Sequence, residues 1–451
     1  MPTHPLERLL APIDAPPVAD GSIAPRGNAT ARIRCRSGVG APEWLHADGW
    51  KLYAVPGAKR TRGGSVLATL RTEAGETLHI EHAPNGSGVD VPFSLAEAYE
   101  NYVTERWAQG ARQRRLPAAA LSAFYRVKGA IPRAAQLTAR RMLIRWQRLS
   151  DFPQWPFDAS VSRLLALYAR CGLEACAVDE LAFHWFWPDR NRAALILTHD
   201  VESAPGLRNA LAIADIEEEH GMRSSFNIVG SWYAIDWGIV EELDARGFEL
   251  GVHGIFHDRS LFSSRKEFER QQPLLVDMRK RLGASGFRSP ATHRVNDWLA
   301  ELPVEYDCTI PLTDPYEPQP GGCCSPWPFF IGDLVELPYT MPQDHTLFTL
   351  LRQRDISVWL SQLEALERCH GLAQCVTHPD PGYLGEPQNQ RRYAEFLAAV
   401  AERQGLWRPL PREVAAWWRR RDAGEFRDGE CSVGIVTRAD SRDLIQIRAP
   451  G

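Results

Sequence analysis

The sequence predicts an α/β protein: a closed or nearly closed barrel of seven strands alternating with helices, joined to a small N-terminal β-rich and helical accessory region. Three observations carry this. From Arg192 onward, short apolar runs alternate with amphipathic stretches of helical period, the pattern of βα units on a parallel sheet. Two of those runs, in LILTHDVES and LGVHGIFHD, end on imidazoles and carboxylates, as barrel strands do at the face that carries chemistry. Between Glu43 and Val91 the texture is different, with alternating segments between Gly-rich turns, which argues for a separate small meander or sandwich.

The chain of 451 residues exceeds one ordinary domain, a barrel alone taking about 250. With 44% hydrophobic and 24% charged residues it can bury a sizeable core, so disorder is not the default. A net charge of -4 gives no global attraction to nucleic acid, and no nucleic-acid partner is expected. The N-terminus is Pro-rich and carries Glu7, Asp14 and Asp20 where a secretory signal needs an apolar core. No stretch approaches the roughly 18 apolar residues of a membrane span. Cysteines in odd number without zinc-finger spacing, Cys171/Cys176 and Cys323-Cys324 included, read as reduced, packed thiols. The expectation is a cytoplasmic protein.

Taken in order, residues 1–28 read as a flexible leader and 29–92 as a small β module containing WKLYAV, SVLATLRT and ETLHIEHA. Ser94 and Glu97 have capping-box spacing and open a helix through AEAYENYVTERW. Residues 93–190 form a helical, basic connecting region. Its stretch from Arg106 to Ser150 holds arginines and a lysine with no Asp or Glu, interleaved with Phe124, Tyr125 and Trp146. One reading is a basic amphipathic element, residues 106–148, that contacts an anionic membrane surface or a phosphate-bearing substrate, making the protein peripheral to the membrane. The other is a solvated helix pair whose arginines face acidic patches elsewhere. FPQWPF then links to a helix through VSRLLALYARCGL.

The barrel is expected over 191–425. Its strands fall near 194–198, 223–229, 248–253, 286–289, 304–309, 334–339 and 372–377. Its helices fall at 206–220, 236–246, 263–282, 355–369, 387–404 and 411–421. Residues 426–451 end the chain as a β-hairpin formed by CSVGIVTRA and LIQIRA.

His199, Asp200, His253 and Arg288 all fall at strand ends. His253 and His257, four apart, share one face of either a helix or a strand and so can reach one ion. Two imidazoles and one carboxylate make a three-ligand divalent site with a position open for water or substrate.

The ordered set THDVE, HGIFH, FRSP, YDCTIP and VTHPD resembles the polysaccharide deacetylase family, carbohydrate esterase family 4, over about residues 190 to 405. The resemblance implies a distorted (β/α) barrel of seven strands and a metal-dependent amide hydrolase acting on an N-acetylated carbohydrate. It makes His253 and His257 the metal-binding histidines, Asp200 the catalytic base, Arg288 the arginine that orients it and His378 the general acid. The family's usual second aspartate is replaced by Val201, which cannot bind metal. On an Asp-x-Asp spacing the ligand becomes Glu202; if Glu202 does not reach, Asp200 binds the ion and the base is missing. The usual Ser/Thr after the first histidine is Gly254, and the usual Tyr after Pro290 is Ala291, whose backbone N–H the family uses for the oxyanion.

Elementary chemistry assigns the same tasks. A divalent metal, zinc first with cobalt, nickel or manganese as alternatives, lowers the pKa of bound water toward about 7 and polarises an acyl oxygen. Asp200 takes the proton, Arg288 keeps the carboxylate ionised, and a backbone N–H near Ala291 faces the oxyanion. His378 protonates the departing amine, kept charged by an acid such as Asp380. In the long loop TDPYEPQPGGCCSPWPFF and in ELPYTMPQDHTLF, Trp327 or Tyr339 suits stacking on a sugar, and Gln343 or Asp344 suits its hydroxyls. The same residues also fit a loop locked by its prolines and packed over the barrel mouth.

The leading expectation is a deacetylase of an amino sugar on a lipid- or nucleotide-linked polysaccharide precursor. The rivals are a non-sugar C–N hydrolase on the same fold, and a catalytically lost, membrane-associated assembly factor.

Overall fold

The computed structural model describes residues 5–10, 22–23, 32–36, 38–47, 49–57, 64–83, 88–110, 138, 141–142, 144, 152–426, 430–439 and 445–450. Most of the basic stretch 106–148 therefore lies outside the described residues.

The second half of the chain is built on one nine-stranded sheet. The order of its parallel strands is Leu372–Thr377, Ala193–Val201, Ser225–Ile228, Glu249–Val252, Gly286–Phe287, Tyr306–Asp307 and Leu334–Glu336. Short Leu406–Trp407 adds to the start of Ala193–Val201 in parallel, and Phe329–Ile331 pairs antiparallel with the last strand at the edge. The two ends of the series meet without regular pairing. Met341 N–H donates to the Gln374 carbonyl at 3.2 Å, Gln374 N–H to Thr340 Oγ1 at 2.9 Å, and Thr340 Oγ1 to the Leu372 carbonyl at 2.6 Å. A right-handed twist closes the sheet only if these staggered contacts bridge the last gap.

Period-two alternation decides which side chains enter the barrel. One register row, Asp200, Asn227 and Gly251, faces in; the next, Val201, Ile228, Val252, Phe287, Asp307 and Glu336, faces out. Gly286 is required by this packing, since a Cβ there would lie 2.0 Å from the Tyr306 ring, whose hydroxyl crosses the barrel to donate to Glu249 at 2.7 Å. The helices Ala204–Glu219, Trp237–Ala245, Arg265–Leu282, Ser357–Arg368 and Pro387–Ala401 cover the outward rows.

Among the described residues no helix lies between the strands Tyr306–Asp307 and Leu334–Glu336 in the chain, and Pro411–Ala423 meets their starts, Arg419 donating to the carbonyls of Glu305 and Asp333. The Pro/Gly-rich loop spans that interval, pinned by the end of the helix Leu95–Val103. Buried Glu105 accepts two bonds from Arg294, at 2.6 and 2.5 Å, and one from Gly322 N–H at 2.6 Å, while Trp107 Nε1 donates to the Gly322 carbonyl at 3.2 Å. A buried pair removed on one side only leaves an unpaired charge, so these contacts set where the N-terminal sheet docks.

That sheet has the order Ser22–Ile23, Arg32–Cys35, Gly88–Val91, Thr77–His82, Val66–Arg71, Glu43–Ala47, Trp50–Ala54. Ser94 caps the following helix by accepting from Glu97 N–H at 3.2 Å. Two expectations are corrected. The leader is not wholly without structure: Pro5–Leu10 is helical, Leu6 and Leu9 are buried, and Arg421 holds the helix by donating to the carbonyls of Arg8 and Leu9. The connecting region is not all helical, because Glu180–His184 forms a strand that pairs antiparallel with Val433–Arg438 of the C-terminal hairpin. A lone hairpin is marginal in water; the third strand supplies its partner.

Candidate metal centre

Four loops deliver the site to the C-terminal mouth of the barrel. Asp200 ends the strand Ala193–Val201 facing inward, and Glu202 follows on the turn that begins the next helix. His253 leaves the strand Glu249–Val252 on its inward side. His257 arrives on an irregular loop, which corrects the reading of His253 and His257 as one face of a regular helix or strand. The left-handed Gly254, φ 70°, makes the turn that brings them together, their ring centroids 5.4 Å apart. A Cβ at Gly254 would also stand 2.9 Å from the Pro290 ring, so the position has no room for the serine or threonine of the resembled pattern.

Oxygen and nitrogen atoms of Glu202, His253 and His257 lie within 4.8 Å of one another. His253 Nδ1 donates to the Arg288 carbonyl at 3.0 Å, which leaves Nε2 as the lone-pair nitrogen, and Nε2 is buried without a hydrogen-bond partner. His257 Nε2 stands 2.8 Å from Glu202 Oε1 without making an aligned hydrogen bond. Buried lone pairs that converge without satisfying one another fit a cation between them. Burial holds His253 down to about 4, so it is neutral and able to ligate at ordinary pH. Burial would also lower His257, but the Glu202 carboxylate outweighs it and raises that imidazole. Glu202 pays for burial and is nonetheless held well below the usual carboxylate range by His257. Of the two acids, Glu202 joins the imidazole cluster and Asp200 stands beside it.

Asp200 Oδ1 accepts from Asn227 at 2.8 Å. Its Oδ2 lies 3.6 Å from Arg288 and 4.0 Å from His253 Nε2, close enough for ion pairing and not committed to a hydrogen bond. Burial raises its pKa, and Arg288, the imidazoles and Asn227 together bring it below the ordinary value, so Asp200 is an ionised carboxylate with one free oxygen. Arg288 is fully buried; Gln374, with its amide turned to donate to the carbonyls of Leu337 and Pro338, offers its oxygen to the guanidinium.

His378 closes the far wall, its Nε2 3.8 Å from Glu202. Its Nδ1 donates to Asp344 at 2.7 Å. Burial would lower this imidazole, but Asp344 outweighs it and the group is pushed up to about 10. Two expectations change here. Asp344 does not reach for substrate: it is fully buried and accepts from His378 Nδ1, from the N–H groups of His378 and Leu384 at 3.1 and 3.0 Å, and from His345 N–H at 2.7 Å. Asp380 is not the acid that charges His378: it accepts from Ser203 Oγ and from Glu202 N–H at 2.9 Å, and so holds the turn that carries Glu202.

The Ala291 backbone is left-handed, φ 49° and ψ 30°. Neighbouring N–H groups are used, Thr292 to the Ser289 carbonyl and His293 to that of Pro290. The other proposed substrate contacts are packed inside. Trp327 is 2% exposed, stacks on Phe186 at 5.4 Å and 16°, and donates to the His370 carbonyl at 3.0 Å. It lies at the start of the strand whose other end carries His378, since the adjacent Pro326 carbonyl accepts from Leu372 N–H. Tyr339 is buried with its hydroxyl donating to Asp314 at 3.2 Å, and Gln343 is buried against Glu317 at 3.1 Å. Each is used inside the protein: Trp327 packs on Phe186 beside the start of the strand Leu372–Thr377, and Tyr339 and Gln343 hold the acids of the long loop. His199 faces outward, bonded to Thr377 and Glu217 at 2.7 Å each, and belongs to the helix layer.

Sequence reasoning missed Asn227 and the true partner of His378. Asn227 sits at the end of a strand beside Asp200 in register, and a polar residue closing an apolar run was the available signal. Nothing local marked Asp344, which is brought to His378 by the fold alone.

No family model matches the chain, and no curated protein matches it in sequence. Among solved structures it is similar to a protein assigned as a polysaccharide deacetylase from Mycobacterium smegmatis, at 18% identity and TM-score 0.42, over 53% of this chain and 94% of that one. It is also similar to the PuuE allantoinase, at 14% and 0.40 over 54% and 95%, and to the peptidoglycan deacetylase PdaC of Bacillus subtilis, at 13% and 0.35 over 53% and 98%. Polysaccharide deacetylases are thus among the structures it resembles; the chemistry below rests on its own residues.

Proposed function

We propose that the chain is a metal-dependent amide hydrolase that removes the acetyl group from an N-acetylated sugar. The observation that carries this is the convergence of Glu202, His253 and His257 beside an ionised, half-committed Asp200 and a charged His378. A zinc-type cation held by those three residues, with cobalt, nickel or manganese as alternatives, supplies Lewis acidity and an activated water.

The residues do the rest. Asp200 Oδ2 receives the proton of the attacking water, and Arg288 with Asn227 keeps that carboxylate oriented and ionised until then. The Ala291 N–H is the donor offered to the oxyanion. His378, protonated and aimed by Asp344, gives its proton to the departing amine nitrogen. The water oxygen bonds to the acyl carbon as one proton passes to Asp200, the C–N bond breaks as His378 protonates the nitrogen, and the acetic acid so formed gives its remaining proton to the amine, while the proton on Asp200 restores the charge of His378.

We extend the reading to a lipid- or nucleotide-linked precursor in the cytoplasm. Supporting it, Arg141 of the basic stretch donates to the Thr349 carbonyl at 3.0 Å, and Thr349 donates to the Gly382 carbonyl at 3.0 Å. Tyr383 next to it has its ring 5.3 Å from His378. Burial lowers Arg141, with the charge of Arg352 the second cause, and a phosphate-bearing substrate would draw on these two guanidiniums.

The test is metal analysis of purified protein with acetate release from acetylated nucleotide sugars and lipid-linked sugars. The expected result is one divalent ion per chain, lost together with activity in His253→Ala and His257→Ala. A metal-free wild type, or full activity in both variants, would overturn the proposal.

A further inference from the structure

Trp232 lies in the loop between the strand Ser225–Ile228 and the helix Trp237–Ala245, on the mouth side of the barrel. Its side chain is 53% exposed, and among the described residues it is the only exposed large aromatic. A single exposed apolar residue is by itself unremarkable. What distinguishes this one is its setting. Its ring centroid is 6.0 Å from that of His257, at an interplanar angle of 55°.

The loop is also clamped to both segments that supply the metal cluster. Gly230 and Ser231 donate their N–H groups to the carbonyls of Gly254 and Ile255, at 3.0 and 2.7 Å, between His253 and His257. The Tyr233 hydroxyl donates to the Val201 carbonyl at 3.1 Å, between Asp200 and Glu202. The backbone on both sides of Trp232 is therefore tied to the site, while its ring is left in water.

We infer that Trp232 is the platform on which the substrate's sugar ring stacks, a specificity-determining residue that holds the unit bearing the reacting acetamido group, or its immediate neighbour, beside His257. The inference rests on the proposed deacetylase function. A sugar presents an apolar face of C–H groups, and a large aromatic ring of fixed position binds that face at little conformational cost. The expectation of an aromatic stacking residue is thereby moved from buried Trp327 and Tyr339 to a ring that substrate can touch.

The experiment compares metal-loaded wild type, Trp232→Ala and Trp232→Tyr, using whichever of N-acetylglucosamine tetramer and UDP-N-acetylglucosamine the wild type deacetylates faster. Trp232→Ala is expected to raise KM about tenfold with kcat within about twofold, as loss of one stacking contact does. Trp232→Tyr is expected to restore KM to within about threefold, because the aromatic face is kept. Metal content should equal the wild type's in both variants.

An unchanged KM in Trp232→Ala overturns the inference, as does a loss of metal that accompanies the KM change, which would make Trp232 a support for His257. Failure of the underlying function shows separately: wild type that holds metal and releases acetate from neither probe brings down both readings without recourse to a variant.

Discussion

Replacing Asp344 by Asn tests the linkage between a buried carboxylate and the acid step. Asp344 is fully buried, and each of its oxygens accepts two donors: His378 Nδ1 and His345 N–H on one, the N–H groups of His378 and Leu384 on the other. An Asn amide can accept on one side only, so its NH2 faces two donors whichever way it turns. Charged hydrogen bonds lost in this way cost about 1.5–3 kcal/mol each, so the variant should lose about 3 kcal/mol or more of stability. The pKa effect is separate. Asp344 is the largest influence raising His378 to about 10 against burial. Each unit corresponds to about 1.4 kcal/mol, and with Asp344 neutral, burial should carry the imidazole below neutrality.

The sign follows from this. A raised folded-state pKa gives stability that is fully present below the ordinary histidine value and is lost as pH rises through about 10. Wild type should therefore lose stability across that window, and Asp344→Asn should lack that slope. The alkaline limb of kcat/KM should move from near 10 to the acid side of neutrality, and kcat at neutral pH should fall about 10²–10⁴-fold, the usual worth of a positioned general acid. The assay is acetate release against pH, with denaturant melts on the same samples. A folded Asp344→Asn protein that retains the wild-type alkaline limb would refute the assignment of His378 as the acid.

Acidification should strip the metal, because protons compete for the same lone pairs; His257, raised by Glu202, takes a proton first, and His253, held to about 4, last. Metal occupancy followed by dialysis across pH checks this, and occupancy constant down to pH near 4 would contradict it. Val201→Asp restores the adjacent acids of the resembled pattern in sequence only: residue 201 faces outward and is fully buried, so the change should cost roughly 3 kcal/mol or more and add no ligand. A variant as stable as wild type with tighter metal binding would reverse that conclusion. Gly254→Ser should destabilise by about 2 kcal/mol, from the left-handed backbone and the Pro290 ring together, and chemical denaturation reads it directly. Trp327→Ala should cost about 3–5 kcal/mol as a core truncation while leaving KM unchanged in whatever fraction stays folded; a selective rise in KM would return it to the substrate site.

The βα order, the strand ends bearing Asp200, His253 and Arg288, and the helix starts were legible because they depend on local period and capping, which neighbouring residues dictate. The strand Ala193–Val201 was expected at 194–198 and the helix Arg265–Leu282 at 263–282, differences of a few residues at frayed ends. The roles of aromatic and acidic residues in the long loops were not legible in the same way. Trp327 and Asp344 have the composition of a sugar subsite, and only the packed structure shows that one stacks on Phe186 in the core and the other serves four buried donors. Burial and partner choice depend on residues far apart in the chain, and a residue type does not reveal them. The same holds for Val201 and Glu202. Adjacent strand positions point to opposite faces, so the second acid of an adjacent pair would leave the barrel here; the turn after the strand returns Glu202 to the cluster. Residue chemistry and order set two histidines, an arginine and the acids at strand ends in the chain itself, whereas the neighbours of each came from the curled sheet, which sets distances that no local pattern encodes.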